Sequence, residues 1–359
     1  GTYYGGTGSD YSTYSNSCST NTIGDVYYAG ITSTSTSTII ATVGAHQTTY
    51  GGNNDAFLVK FNSLGVRQWA TYYGGTGNDG GFSSSTDPSG DVYLSGTTAS
   101  GTSTLLATLG SHQATFGGGA NDAFLAKFNS SGVRLWATYY GGTGSEQGNS
   151  CNTDATGAVY LSGYTDTGTS TLISTAGAHQ TTYGGGVGDA FLVKFNSSGL
   201  RQWGTYYGGT GNDQAFGSTI DQGGNIYLTG ATDTGTGTSI ATLGSHQATY
   251  GGGSNNAFLV KFNGSGIRQW GTYYGGAGYD NGFGCSTDLS GNVYMAGRAT
   301  STIGNVIATI GAHQVSFGGG ASFDAFLVKF NNSGVRQWGT YYGGNGTDIG
   351  FSCSNDAGG

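Results

Sequence analysis

The residues of this 359-residue chain that could do chemistry come in sets rather than singly. His46, His112, His179, His246 and His313 all stand in the phrase Gly-[Ala/Ser]-His-Gln, and Trp69, Trp136, Trp203, Trp270 and Trp338 all follow an Arg by two positions. Ten of the 11 basic residues repeat in the same way, as Lys60, Lys127, Lys194, Lys261 and Lys329 and as Arg67, Arg134, Arg201, Arg268 and Arg336, which leaves Arg298 alone outside the pattern. A general acid/base pair needs carboxylates set apart from one another by environment, and a hydrolase elbow needs a singular His beside its Ser. Neither asymmetry is present. The lone Glu146 stands where the other copies have Asp10, Asp79, Asp213, Asp280 and Asp348, so it reads as a copy with one extra methylene. The expectation is a protein without catalysis.

Cys18, Cys151, Cys285 and Cys353 share one position, three residues before Asn21, Asp154, Asp288 and Asp356, and Ser84 and Ser218 fill it in the remaining copies. Their separations match no zinc-ligand spacing. Two readings stay open: small buried thiols that alternate with Ser, or a disulfide, with Cys18 to Cys353 the most useful pairing. Gly75 to Gly80 formally spells GxGxxG, but it follows an aromatic segment and precedes no helix, so it is a turn and not a phosphate cradle. Asp79 and Asp87 with nearby carbonyls are candidate calcium ligands, although no EF-hand or nonapeptide spacing appears. No other cofactor is expected. The Asp that opens one segment (Asp55, Asp122, Asp189, Asp324, with Asn256 in the fourth copy) is expected to join the Lys, the loop His and the next Arg in a polar network.

Gly accounts for 73 residues, Pro for 1, charged residues for 8% and aromatics for 13%, which disfavours long amphipathic helices and favours a β-rich chain with a packed core. The net charge of −8, from 11 basic against 19 acidic residues, disfavours nucleic acid. No apolar run approaches the ~20 residues of a membrane span. Low charge with abundant Ser, Thr, Asn and Tyr suits an extracellular or cell-surface protein, and the absence of a leader at Gly1 suggests a mature or excerpted segment.

The phrase [Gly/Ala]-Thr-Tyr-Tyr-Gly-Gly begins at Gly1, Ala70, Ala137, Gly204, Gly271 and Gly339, so a unit of about 67 residues is written five times, as 1–69, 70–136, 137–203, 204–270 and 271–338, with a partial sixth at 339–359. Each unit carries four strand-like segments between Gly, Asn, Asp and Ser turns: a (as Arg67 to Gly75), b (as Phe82 to Asp87), c (as Val92 to Gly96) and d (as Asp55 to Asn62). A long loop joins c to d, and its apolar pair, Leu105-Leu106, is expected to pin it to its own sheet. Four antiparallel strands at a fixed period predict an all-β propeller of five four-stranded blades, because a β-solenoid uses shorter coils. The segment count leaves one surplus strand pair.

Three runs then carry a resemblance to a known family. They are Gly74 to Asp79, Asp87 to Thr98, and His112 to Asn129, which reads HQATFGGGANDAFLAKFN. In these the chain resembles the bacterial and archaeal seven-bladed β-propeller repeat family, over essentially its whole length. The resemblance implies a large extracellular or surface-attached protein. Five copies imply five blades in one ring or a window on a longer array, so the seven in the family name does not carry over.

An uncovered strand pair is a template for pairing. Thr2, Tyr3 and Tyr4 at one end, or Thr340, Tyr341 and Tyr342 at the other, are therefore the expected inter-subunit strands of a head-to-tail fibre made of copies of this chain. The alternative is a carbohydrate-binding lectin or adhesin, with one Tyr of each pair, such as Tyr72-Tyr73, as a sugar platform; the competing reading of these rings is core packing. Asn129, Asn196, Asn263, Asn331 and Asn345 begin Asn-x-Ser/Thr sequons and are candidate glycosylation sites.

Overall fold

The structure is a computed structural model that describes residues 3–12, 17–35, 37–235, 238–302, 306–320 and 322–356. It is all-β, with one short helix at Ser37–Ile40. The first sheet holds β1 (Asp10–Tyr11), β2 (Cys18–Thr20), β3 (Val26–Thr32), β4 (Asp55–Phe61) and β5 (Arg67–Tyr73), with β1 and β2 both paired to β3. The second runs β6 (Asp79–Thr86), β7 (Val92–Thr98), β8 (Asp122–Phe128) and β9 (Arg134–Tyr140). The third runs β10 (Glu146–Thr153), β11 (Val159–Thr165), β12 (Asp189–Phe195) and β13 (Arg201–Tyr207). The fourth runs β14 (Asp213–Ile220), β15 (Ile226–Thr232), β16 (Asn256–Phe262) and β17 (Arg268–Tyr274). The fifth runs β18 (Asn281–Thr287), β19 (Val293–Ala299), β20 (Asp324–Phe330) and β21 (Arg336–Tyr342). These are the antiparallel sheets of β-propeller repeats, four-stranded except in the first, where β1 and β2 together fill the outer position.

The sheet is offset from the repeat as written. Each sheet takes b, c and d from one copy and a from the next, because a tight turn such as Asn129 to Gly132 ties d to the a that follows it. That offset corrects the expectation of a surplus strand pair. Thr340, Tyr341 and Tyr342 lie in β21, opposite Leu327, Phe326 and Ala325 of β20, so they complete the fifth sheet. Thr2 lies outside the described residues. Tyr3 is fully exposed, whereas Tyr4 donates to the Ile40 carbonyl at 2.5 Å and packs on Phe57 and Phe61, and neither is in a strand.

The chain divides into two compact units, residues 1–175 with 192–204, and residues 176–191 with 205–359. In the first, the faces of the first two sheets bury Tyr27, Leu58, Trp69, Tyr73, Leu94 and Phe128 in one cluster. In the second, the fourth and fifth sheets bury Tyr227, Leu259, Trp270, Tyr274, Met295 and Phe330. Each fully buried aromatic contributes roughly 2–3 kcal/mol before conformational entropy is counted.

The junction of the first two sheets shows how the repeat is joined. The Trp69 indole N–H donates to Ser130 O at 2.9 Å, and Gly132, at φ 82°, lies flat against the ring. Tyr73 Oη donates to Leu106 O at 2.5 Å, and the His46 ring packs between Tyr73 and Phe128. The loop is thus pinned into the junction by Leu106, which is buried, while Leu105 is 41% exposed, so only one member of the apolar pair does the pinning.

Candidate functional site

The polar side chains that sequence reasoning singled out as sets are used up in holding sheets together. Lys127, on β8, lies 3.0 Å from Asp87 and 3.1 Å from Asp91, with its ammonium over the Tyr93 ring. Burial opposes the charge, but the two carboxylates and Tyr93 outweigh it and hold the Lys127 pKa above its usual value. Equivalent pairs join Lys60 to Asp25, Lys194 to Asp154, Lys261 to Asp221 and Lys329 to Asp288. Lys261 behaves differently. Asp221 is already shared with Asn225 and Tyr227 and stands 3.6 Å away, so burial dominates and lowers the lysine pKa.

The Lys partner is therefore the Asp of the b-to-c turn, a correction to the expected network. The Asp opening strand d points elsewhere: Asp122 Oδ2 accepts from Gln113 Nε2 at 3.0 Å and Gly117 N at 2.7 Å. The Arg side chains donate to loop carbonyls, as Arg134 does to Thr104 and Leu105. Sequence carried a signal for the true partner. In every copy at least one of the two turn positions is a carboxylate: Asp25 opposite Asn21 in the first, Asp87 and Asp91 in the second, and Asp154, Asp221 and Asp288 in the others.

The candidate calcium ligands do not meet. Asp79 and Asp87 stand at opposite ends of β6, roughly 25 Å apart at strand rise. Asp79 is bonded to Ser100 and Gly75, whereas Asp87 is paired with Lys127. Among the described residues no three His, Cys, Asp or Glu side chains cluster as a metal site would require.

All four cysteines are free thiols, so the disulfide reading is not met. Cys151 and Cys285 are buried, Cys353 is half-buried and Cys18 is exposed. Burial pushes the Cys151 thiol up to about 11, with Ser83 Oγ at 3.6 Å, and burial also raises Cys285, with the nearby Cys353 adding to it. These are inert positions in a tight inner strand.

Four of the sequon residues, Asn129, Asn196, Asn263 and Asn331, sit in the d-to-a turn, where each Oδ1 accepts two backbone N–H groups, as Asn129 does from Ser131 and Val133. Asn345 is exposed beyond β21. The Tyr pairs of the first four sheets are buried, whereas Tyr342 of the fifth is 69% exposed. Tyr72 is buried and donates to Thr34 O in its own loop, and Tyr73 is buried against the next sheet, so neither ring face is open to a sugar.

The His rings are structural as well. Burial lowers His112, His179 and His246 to about 4, and each packs between a Tyr and a Phe. Arg298 is the one basic side chain outside the repeat pattern, and it lies over Phe323 at 4.2 Å, with Tyr279 and Phe283 at its other sides.

Comparison with known proteins agrees with this geometry. Over 342 residues the chain is 25% identical to an uncharacterized WD repeat-containing protein of Acanthamoeba polyphaga mimivirus, an alignment covering 81% of this chain and 24% of that protein. The chain thus spans about a quarter of the length of that relative. Residues 269–305 match the model of the SBBP beta-propeller repeat, a stretch that holds β17, β18 and β19. The same strands and turns recur in the other copies, so the chain is a tandem array of β-propeller-like sheets, one stretch of which matches the SBBP repeat model.

Proposed function

We propose that this chain is a non-catalytic scaffold of the cell exterior that associates head to tail with copies of itself. The observation that carries the reading is an open junction face on the fifth sheet. Trp69, Trp136 and Trp270 are each 8–9% exposed, covered by the turn of the following sheet through Ser130, Ser197 and Asn332. Trp338 is half-buried, as Trp203 is too, but Tyr342 is 69% exposed where Tyr73, Tyr140, Tyr207 and Tyr274 are fully buried. A cleft of about 570 Å³ lined by His313, Leu327 and Trp338 lies on this face. In the first unit, Gly65 occupies the turn position of Gly132 and has no atom within 4 Å of where its Cβ would be. An open turn at Gly65 and an exposed Tyr342 beside a half-buried Trp338 correspond to the two halves of the junction seen between the first two sheets, which supports a second copy of this chain as the occupant.

The low charge and the Ser-, Thr- and Asn-rich surface support an extracellular setting. Sedimentation of the native chain over a concentration series, with negative-stain microscopy, tests the reading. The expected result is concentration-dependent head-to-tail oligomers or fibres that weaken when Trp338→Ser and Tyr342→Ser are combined. A species that stays monomeric at all concentrations overturns it.

A further inference from the structure

Three of the four sheet-to-sheet junctions bury a pair of acids that no cation faces. On β4, Asp55 is fully buried; its Oδ2 accepts from Gly51 N at 2.8 Å and Gln47 Nε2 at 3.1 Å, but its Oδ1 has no hydrogen-bond partner. The same oxygen is buried and unpartnered in Asp122, Asp189 and Asp324. That oxygen faces the acid at the start of the next sheet. A Cβ built on Gly74 would lie 2.8 Å from Asp55 Oδ1 and 2.8 Å from Asp79 Oδ2, so the two oxygens are within twice that distance of each other, and only a glycine leaves the space between them. Gly141 stands in the same way between Asp122 and Glu146, and Gly208 between Asp189 and Asp213.

The fourth copy supplies a natural control, because Asn256 replaces the Asp. Its Oδ1 accepts from Gly251 N at 2.8 Å, as Asp55 Oδ2 does from Gly51. Its Nδ2, in the place of the unpartnered oxygen, donates to Gly276 O at 2.9 Å and points at Asp280 Oδ2 at 3.5 Å. The position is thus built around a donor. Asp79 needs no proton of its own, since Thr98, Ser100 and Gly75 already donate to it.

We propose that Asp55, Asp122 and Asp189 are neutral carboxylic acids in the folded protein, each holding a proton on Oδ1 that bonds the junction as the Asn256 amide does. The groups facing them contain no base. Asp55 faces Asp79 on β6 and the phenols of Tyr50 and Tyr72; Asp122 faces Glu146 on β10 and Tyr139 on β9; Asp189 faces Asp213 on β14. Burial, with the neighbouring acid adding to it, raises all three to about 7. The sign follows from linkage. In the unfolded chain these groups ionise near 4, so their contribution is complete below that pH and is lost as pH rises through about 7. The junctions become a device that loosens on alkalinisation. A cation in place of the proton is the rival, and it would find Asp79 Oδ2 already occupied by two donors.

The test compares the native chain with the triple variant Asp55→Asn, Asp122→Asn, Asp189→Asn, which copies the fourth junction. Between pH 4 and 8 the difference in unfolding midpoint should follow one proton per substituted position, with the variant gaining relative to the native chain as pH rises. Infrared spectra of the native fold at pH 6 should show a protonated-carboxyl C=O band that fades as pH rises past about 7, a reading that needs no variant to be stable. No such band, or identical pH slopes in both proteins, overturns the proposal. A midpoint of the native chain that drops on chelation and recovers with calcium or potassium overturns it in favour of a bound cation.

Discussion

A Cβ added to Gly132 would come within 2.7 Å of Cδ2 of Trp69. The same contact joins Gly199 to Trp136 and Gly334 to Trp270, so in these three d-to-a turns the final Gly is a bearing surface for the preceding sheet's indole. Its left-handed φ adds to the steric demand. Gly132→Ala should cost about 2–4 kcal/mol, from overpacking and backbone strain together. Trp69→Ala should cost about 3–5 kcal/mol through the cavity it leaves. Urea titrations of both variants check this, and a loss under about 1 kcal/mol for either would mean that the ring does not carry the junction.

The two acidic positions of the b-to-c turn predict unequal mutants. Asp154→Asn leaves Lys194 with no second carboxylate, because Ala158 stands where the second copy has Asp91. Asp87→Asn leaves Lys127 with Asp91 at 3.1 Å. Breaking a buried pair costs about 3–5 kcal/mol, so the third-copy variant should approach that loss and the second-copy variant should lose clearly less. Equal losses would show that the second carboxylate is idle.

Acid should weaken the protein through its histidines. Burial first, and then the nearby Arg201, Arg268 and Arg336, depress His112, His179 and His246 to about 4. An unfolded His takes up its proton near 6.5, so stability present above that pH is lost progressively as pH falls towards 4. Substituting Phe at all three positions should flatten the decline between pH 6.5 and 4 in thermal melts. A variant with the native slope would place the acid sensitivity elsewhere.

Thiol chemistry separates the cysteines. Cys18, exposed on β2, should react with a thiol reagent in the native state, whereas Cys151 and Cys285 should react only after denaturation. Mass-resolved labelling with and without urea reads this directly, and native labelling of Cys151 would contradict its packing against Ser83.

Strand content was legible because the alternating, β-branched and aromatic phrases are bounded by Gly and Asx turns: Val92 to Gly96 falls in β7, and Asp55 to Phe61 is β4. Grouping the strands was harder, although the cue was present. The short Asn129 to Gly132 turn forces d and the following a to pair, whereas the Gly-rich link after Tyr140 leads across to the next sheet. Burial of both Tyr rings was not legible, since alternation says that Tyr72 and Tyr73 face opposite ways but not that the loop covers one face and the next sheet the other. Pairing between acids of consecutive sheets was equally hidden. Asp122 and Glu146 are 24 positions apart and meet only when two sheets stack.

Borrowing the fourth strand from the following copy means that the unit of duplication and the hydrogen-bonded sheet are out of phase. Tension applied along the backbone meets a staggered seam, like overlapping roof tiles, at which no copy can peel away without dragging the outer edge of its neighbour's sheet. A single protease nick in the link between Tyr140 and Glu146 would cut between sheets, whereas a nick in the Asn129 to Gly132 turn would remove the covalent link between two strands of one sheet.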